Sequence, residues 1–335
     1  MRIAITGATG LLGRNLLAEF VKRSYCEGFD LEVIVLGRNQ GDVGLSQRVR
    51  EVLLSDGLDY LGGVKAESYS TYLNNLIAHN VHCIQFDVDS QPKAGAPPIL
   101  RGPIDYFFHS AALVDFRDQP NVAEDLHRTN VLGTQRVLKI VSQSETGQFV
   151  YIGSAYCCGT ATGLIAPDTV DLSRTFRNPY EKTKLQAEVL VRDFAARSGM
   201  RCRYFRPSTI SGRLIEPPMG TTPKFDVFYS WAGFFLRAKI HALGDRADKY
   251  ADPWSCDCRI AYNIASGLNI VPVDFAAKVI YEICVHDYPG VSYHLVNEAH
   301  TPHSTYIPFM LNSIGVVGTS VVSQQPSNLN EFEKL

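Results

Sequence analysis

The chain has 335 residues, 45% of them hydrophobic and 20% charged, enough to bury a large core in one domain or one and a half. Lys and Arg number 32 against 34 Asp and Glu, a net charge of -2 with no long single-sign run, which leaves no electrostatic footprint for nucleic acid or an anionic membrane surface. No apolar stretch approaches the about 18 residues that span a bilayer, and MRIAITGATGLLG at the N-terminus has no signal-peptide h-region.

In chain order, β-rich apolar runs alternate with helical patterns. RIAIT (2–6) leads into LLGRNLLAEFVKR, LEVIVLG (31–37) into LSQRVREVLL, and VHCIQF (81–86) and IDYFFH (104–109) precede NVLGTQRVLKIV. QFVYIGS (148–154) and RCRYFRP (201–207) flank YEKTKLQAEVLVRDFAAR. Continuously apolar strands separated by amphipathic helices predict an α/β fold, a doubly wound, Rossmann-like parallel sheet covered on both faces. Beyond Ser211 the Pro- and Gly-rich GRLIEPPMGTTPKFD breaks the alternation. A main domain is predicted over 1–211, with 268–287 returning to it, and a smaller substrate-binding domain over 212–267 and 288–335. YHLVN (293–297) reads as one more short strand. The aromatic FDVFYSWAGFFLRAKI (225–240) reads as a core helix rather than the wall of an apolar tunnel.

The eight cysteines (26, 83, 157, 158, 202, 256, 258, 284) lie mostly in apolar segments, where Cys acts as a small hydrophobe. This usage predicts a reducing, cytoplasmic setting without disulfides. CDC at 256–258 has no His at ligand spacing, so no metal site is expected.

The turn ITGATGLLG ends the first strand and opens the first helix, with glycines at 7, 10 and 13. Glycine permits a positive φ and close backbone approach, and a helix N-terminus offers free N–H groups to a pyrophosphate. Thr6, Gly7, Thr9, Gly10, Leu11, Leu12, Gly13 and Arg14 are therefore candidate cofactor contacts. At the end of the second strand, where an acid would accept from a ribose 2'-hydroxyl, the sequence is VLGRN. Gly37 takes the acid's place, and Arg38, with Arg14 and Arg48 as helpers, predicts NADP(H) through a 2'-phosphate. FDVDS contributes Asp87 and Val88 near the adenine, and FHSAALVDF contributes Ser110, Ala111 and Ala112, small enough for a cofactor to pass. His109 is expected to order the loop after the fourth strand.

The fifth strand delivers Ser154 to the carboxyl edge of the sheet. Some 25 residues on, NPYEKTK places Tyr180 and Lys184 four apart, on one helix face. A phenol with a pKa near 10 is a poor acid-base group, and a neighbouring ammonium is expected to lower it. Ser154, Tyr180 and Lys184 make a set suited to polarising or protonating a carbonyl oxygen during hydride transfer. Tyr156 and Cys157 are candidates for the substrate pocket, with Val114 and Ala155 beside them, and Cys158 is expected to pack.

Over nearly its whole length the sequence resembles the extended, or atypical, short-chain dehydrogenase/reductases: TGATGLLG, HSAALVDF, TNVLGT, YIGSAYCCG, YEKTK, FRPSTISG, VPVD and YHLVN. Within them it is most similar to the thioester reductase and fatty acyl-CoA reductase (male sterility, NAD-binding) branch. The shared segments are His109–Phe116, Ser154–Gly159 and Val271–Asp274. The resemblance implies NADPH-dependent reduction of an acyl thioester, on coenzyme A or a carrier protein, to an aldehyde or on to the alcohol. It implies that Tyr180 and Ser154 bind the developing oxyanion and that Lys184 holds the nicotinamide ribose. It places Arg206, Pro207 and Ser208 near the nicotinamide, and has Asn130 order the middle helix. With Met1 directly before the first strand, any carrier is expected to act in trans. The competing readings are an epimerase, dehydratase or hydroxysteroid-type dehydrogenase on the same scaffold, and a cofactor-sensing binding protein.

Overall fold

The computed structural model describes residues 1–60, 66–89, 97–244 and 252–334. The chain divides into two compact units, residues 1–221 with 271–296 and residues 222–270 with 297–335. Residues 245–251 of the expected small domain lie outside the described residues.

The larger unit is built on a seven-stranded, all-parallel sheet. Its strands are β1 (Arg2–Thr6), β2 (Glu32–Gly37), β3 (Val81–Gln85), β4 (Pro103–His109), β5 (Glu145–Ile152), β6 (Cys202–Pro207) and β7 (Ser292–Leu295). They lie in the order β7-β6-β5-β4-β1-β2-β3, so the chain reverses direction beside β1, where ligands of open α/β sheets bind. The strands are buried because helices cover both faces. On one face α1 (Leu11–Glu27), α2 (Leu45–Val52), α3 (Ala66–His79) and the late helix α8 (Val273–Val285) share a core with Ile3, Ile5, Val33, Val35 and Phe108. On the other, α5 (Gly133–Val141) and α6 (Pro179–Ser198) pack with Ala4, Ile34, Phe107, Phe149 and Tyr204. A π-helical turn, His127–Leu132, joins α4 (Pro120–Leu126) to α5.

Residues 288–296 do not follow the expected division. Ser292–Leu295 pairs in parallel with β6 as the edge strand of the main sheet, from Ser292 opposite Tyr204 to Leu295 opposite Pro207. Its pattern is too short for periodicity to assign it to a sheet; the partner strand decides.

The motif VPVD acquires a structural reason here. Asp274, fully buried at the start of α8, accepts backbone hydrogen bonds from Leu214 (3.1 Å), Ile215 (2.6 Å), Glu216 (2.7 Å) and Phe275 (3.0 Å). One carboxylate thus satisfies donors of the irregular segment after β6, which no sheet or helix pairs. Glu216 in turn meets Lys22 at 2.6 Å and Lys278 at 2.5 Å, tying that segment to α1 and α8.

The smaller unit contains α7 (Tyr229–Leu243), α9 (His303–Ser313) and short strand pairs such as Ser320–Val322 with Arg259–Ala261. Phe235 of α7, Cys256, Cys258, Ile260, Leu311, Ile314 and Val316 form its core. The CDC cysteines are thus core side chains, and α7 buries Phe235 while leaving Trp231 half exposed.

Replacing Asp274 with Ala removes a charged acceptor from several buried amides at once. Hydrogen bonds to charged groups are each worth about 1.5–3 kcal/mol, so Asp274→Ala should lower the unfolding free energy by roughly 3 kcal/mol. The urea midpoint of the variant against wild type measures this, and an unchanged midpoint would refute the role.

Candidate active site

The three glycines after β1 have different jobs. Gly7 has φ +75°, and a Cβ there would lie 2.7 Å from the Ala111 nitrogen and 2.8 Å from the Ser110 carbonyl carbon. A Cβ on Gly13 would lie 2.1 Å from the Gly7 oxygen. These two permit the turn to press against β4 and the helix against the turn. Gly10 N-caps α1 with no side-chain cap, so the first N–H groups of a 17-residue helix are left for a ligand at its positive end.

Behind the turn lies a cleft of about 410 Å³. It is lined by Gly7, Thr9 and Gly10 of the turn, by Arg38 and Arg48, by Asp87 and Val88, and by Ser110, Ala111 and Ala112. Apolar Leu36, Leu45 and Phe86 also line it, as do polar Asp89, Asp125, Arg128 and Thr129. Sequence reasoning missed both sets. Asp125, Arg128 and Thr129 sit on or beside the π-helical turn, whose placement no pattern signals. Arg48 braces the turn, donating to Thr9 Oγ1 at 2.9 Å and to the Arg38 carbonyl at 2.9 Å. The Arg38 side chain is two-thirds exposed, 3.7 Å from Asp89. Apolar side chains, the Arg38 and Arg48 guanidinium groups and the uncapped amides of α1 in one cleft fit the chemistry of a dinucleotide.

Other predicted contacts fall elsewhere. Among the described residues, Thr6, Leu11, Leu12, Gly13, Arg14, Lys184, Arg206, Pro207 and Ser208 do not line this cleft. Arg14 turns away to Asp56 at 2.9 Å, which removes it as a helper of Arg38. Leu12 is buried in the α1 core. Arg206 is wholly buried, with Nε and Nη2 bonded to Glu188 at 2.9 and 2.8 Å and Nη2 also to the Thr169 carbonyl at 2.9 Å. Its guanidinium is committed to that carboxylate rather than free for a ligand.

Thr6 belongs to a buried relay. His109 Nδ1 lies 2.7 Å from Thr6 Oγ1, and Nε2 lies 2.9 Å from Thr134 Oγ1. Thr134 donates its hydroxyl proton to the Asn130 carbonyl at 2.6 Å, so the imidazole donates through Nε2 and accepts from Thr6 through Nδ1. Burial, with the Lys184 charge adding, pushes His109 down to about 3, so it stays neutral. Asn130 grips Leu113 through both N–H (2.8 Å) and C=O (3.0 Å), and donates to Thr183 of α6 at 3.3 Å. His109 and Asn130 thus order the loop and helix, as expected.

NPYE contains its own helix start. Asn178 N-caps α6, accepting from the Glu181 amide at 3.0 Å; Pro179 takes the first turn, and Glu181 accepts from the Arg177 amide at 3.0 Å. The buried face that follows runs Tyr180, Lys184, Glu188 at four-residue spacing. Ser154 lies two residues past the end of β5, as the N-cap of a 3-10 turn, Ala155–Cys158, accepting from the Tyr156 amide at 3.2 Å. Ser154 stands beside Tyr180, and its hydroxyl draws the phenol's pKa down against burial. Around them stand Phe116, edge-on to Tyr180 with ring centres 5.1 Å apart, and Leu113, Val122, Leu126 and Tyr156. The Tyr156 hydroxyl bonds Thr209 at 2.6 Å, and Val114 is exposed.

The electrostatics reverse one expectation. Burial pushes the Tyr180 hydroxyl up to about 12, the Ser154 hydroxyl opposing it only in part. The Lys184 ammonium does not offset this because it points at the sheet: Nζ donates to the Ile152 carbonyl at 2.8 Å and lies 5.0 Å from the Tyr151 ring centre. Burial draws Lys184 itself down to about 8, against attraction from Cys157 and Glu188.

A parallel sheet that reverses beside a glycine turn, with an uncapped helix behind it, is the architecture of the extended short-chain dehydrogenase/reductases, a class of NAD(P)-dependent oxidoreductases. Within that class the chain belongs to the male sterility protein family, whose model matches residues 5–280. It is 26% identical over 292 residues to the L-2-aminoadipate reductase large subunit of Eremothecium gossypii, covering 83% of this chain and 18% of that protein. It is 25% identical over 266 residues to fatty acyl-CoA reductase 1 of Mus musculus, covering 70% of this chain and 48% of that one. The terminal R domain from the myxalamid PKS-NRPS biosynthetic pathway superposes with a TM-score of 0.63 at 22% identity, over 96% of this chain and 71% of that one. UDP-glucuronic acid 4-epimerase from Bacillus cereus, in complex with NAD, does so with a TM-score of 0.62 at 14% identity, over 96% and 87%. No helix among the described residues is long and apolar enough to cross a membrane.

Lys184 should be the outlier among the lysines. With a pKa near 8 folded against 10.5 unfolded, it is charged below pH 8, and the unfolded chain binds the extra proton between those values. Its ionisation therefore penalises the fold at lower pH and ceases to do so as pH rises through that window. In protein labelled with carbon-13 lysine, a side-chain resonance absent from Lys184→Arg should titrate near pH 8, well below ordinary lysines at about 10.4. A Lys184 resonance titrating with the others would overturn the burial argument.

Proposed function

We propose that the chain is an NADPH-dependent reductase of acyl thioesters, carried on coenzyme A or on a carrier protein, yielding the aldehyde or, by a second reduction, the alcohol. The observation that carries this reading is the Ser154 hydroxyl beside the Tyr180 phenol, which an apolar wall keeps neutral. Two of the sequence relatives, an L-2-aminoadipate reductase large subunit and a fatty acyl-CoA reductase, support the substrate class.

When bound, the dinucleotide supplies the hydride that the acyl carbon receives. The chain's own residues manage the oxygen. As the thioester carbonyl becomes tetrahedral, negative charge gathers on oxygen, and Ser154 and Tyr180 donate hydrogen bonds to it. A phenol at about 12 remains protonated across the working pH range, so Tyr180 delivers its proton to that oxygen rather than starting as phenolate. The hemithioacetal then releases the thiol, and one thioester, one hydride and one proton become an aldehyde and a free thiol. The family resemblance gives Lys184 the ribose, a role that requires its ammonium to leave the Ile152 carbonyl that it holds at 2.8 Å.

The gap left by an acid at the end of β2, with Arg38 and Arg48 at the cleft, supports NADPH over NADH. Loss of one charged hydrogen-bond partner costs about 1.5–3 kcal/mol, so Arg38→Ala should reduce the NADPH-over-NADH preference roughly tenfold to a hundredfold. Measured dissociation constants for both cofactors decide it, and an unchanged ratio would remove Arg38 from this role.

Cofactor oxidation should depend on acyl-CoAs or acyl-pantetheines when these are assayed beside simple ketones, aldehydes and UDP-sugars. Tyr180→Phe should lose about a hundredfold to ten-thousandfold in kcat, while cofactor affinity stays within about threefold. Turnover of ketones or sugars with none of thioesters, or a fully active Tyr180→Phe, would sink the proposal.

A further inference from the structure

The end of β2 offers Gly37 where an acid could accept from a ribose hydroxyl, but a carboxylate reaches Arg38 from another strand. Asp89, in the loop after β3, lines the cleft together with Arg38, Arg48 and Thr129. Its Oδ2 lies 3.7 Å from Arg38 Nη1, and its Oδ1 accepts a hydrogen bond from the Thr129 hydroxyl at 2.6 Å.

The carboxylate is held where it is. The Asp89 amide donates to Asp87 Oδ1 at 3.0 Å, and the preceding Val88 carbonyl accepts from Arg136 Nη1. Val88 itself packs on Gly133 of α5, where a Cβ would come within 3.1 Å of the Val88 Cβ. Thr129 belongs to the π-helical turn, so one oxygen of Asp89 is fixed by that turn while the other faces Arg38.

The neighbouring charges of the cleft have other partners. Asp125 pairs with Arg128 at 2.6 Å, and Arg48 donates to Thr9 Oγ1 and to the Arg38 carbonyl. Arg38 and Asp89 therefore stand as an opposed pair on the cleft wall. An ion pair whose Arg side chain is 67% exposed contributes little to the fold, so its consequence lies in what the two groups do to a ligand.

We propose that Asp89 is a specificity-determining residue for the cofactor, acting against Arg38. Resting on the assignment of Arg38 to a 2'-phosphate, this makes cofactor preference the difference between two opposed side chains. A phosphate monoester carries about -1.5 to -2 charges at neutral pH. Drawn to Arg38, it must compete with the Asp89 carboxylate for the guanidinium, and like charges brought together oppose binding. A plain ribose hydroxyl meets neither penalty, and it is a donor of the kind that a carboxylate accepts. Arg38 thus draws NADPH, and Asp89 keeps that preference small.

Asp89→Asn isolates the effect, because the amide keeps an acceptor for Thr129 and removes only the charge. Isothermal titration calorimetry on the full chain without substrate gives the dissociation constants of NADPH and NADH for wild type, Asp89→Asn, Arg38→Ala and the double variant. Asp89→Asn should raise the NADPH-over-NADH preference about threefold to thirtyfold. In the Arg38→Ala background the same change should raise it less, since competition for the guanidinium is gone and only the repulsion remains. Each preference is a ratio measured on one protein, so a general loosening of the fold moves both constants and cancels.

A preference unchanged or lowered in Asp89→Asn would overturn the proposal, as would a rise of equal size with and without Arg38. A wild type that prefers NADH, but that Asp89→Asn moves toward NADPH, would refute the NADPH reading and uphold the role of Asp89. A wild type that prefers NADPH and does not respond to Asp89→Asn would do the reverse.

Discussion

A relay of buried hydrogen bonds, Thr6 to His109 to Thr134 to the Asn130 carbonyl, fixes the carboxyl edge of the sheet. Thr6 is the last residue of β1, His109 the last of β4, and Asn130 sits in the π-helical turn before α5. The relay therefore locks three segments at the point where the chain reverses direction. Thr6 Oγ1 also receives the Ala111 amide at 3.3 Å, the atom that a Cβ on Gly7 would strike. Close approach at Gly7 and hydrogen bonding at Thr6 are one constraint seen from two sides, and the shape of the cleft follows from it. A charged imidazole would break the relay, because both ring nitrogens would then donate. Burial keeps His109 neutral and the relay directional.

The second organising feature is the face of α6. Tyr180, Lys184 and Glu188 occupy successive turns, running from the apolar wall beside Phe116 down to the paired guanidinium groups of Arg192 and Arg206. Burying such charges costs desolvation, which close pairing and hydrogen bonds offset. Gly153 makes room for the arrangement: a Cβ there would approach the Glu188 carboxylate to 3.4 Å and the Phe205 carbonyl to 3.3 Å. A larger residue before Ser154 would press on the carboxylate that both arginines share.

Much of this was legible in the sequence, and the reasons are specific. The strands of a parallel sheet are buried on both faces, so RIAIT, LEVIVLG and IDYFFH stand out as unbroken apolar runs, and all six strands predicted before Ser211 end within two residues of the observed ones, although β5 begins three residues before its predicted run. The start of α6 is written locally, in Asn178, Pro179 and Glu181. What was not legible depends on distant groups. Glu188 is simply the next position at four-residue spacing, and nothing local says that Arg206 meets it. The rise in Tyr180's pKa comes from Phe116, Val122 and Leu126, and from Lys184 reaching past it to the Ile152 carbonyl, whereas sequence spacing alone suggested the opposite sign. Ser292–Leu295 was misassigned to the small domain because four residues carry no period, and only pairing with β6 places them.

Fold and oxygen-handling groups together define a reaction type more narrowly than a substrate. An R domain and a sugar epimerase superpose on this chain almost equally well, at TM-scores of 0.63 and 0.62, so the scaffold cannot distinguish a thioester from a sugar. Nor can a hydroxyl pair that donates to a carbonyl oxygen, since that oxygen looks the same in a ketone, an aldehyde or a thioester. Discrimination has to come from what surrounds the carbon and its leaving group. Here the surroundings of Tyr180 are aromatic and apolar, with Phe116 and Tyr156 in edge contact, and hydroxyls are few. The wall around Tyr180 sets the proton supply, since burial against Val122, Leu126 and Phe116 is what keeps the phenol neutral. The carbon that receives the hydride is chosen by groups farther from that oxygen, so proton supply and substrate choice are separate properties of the site.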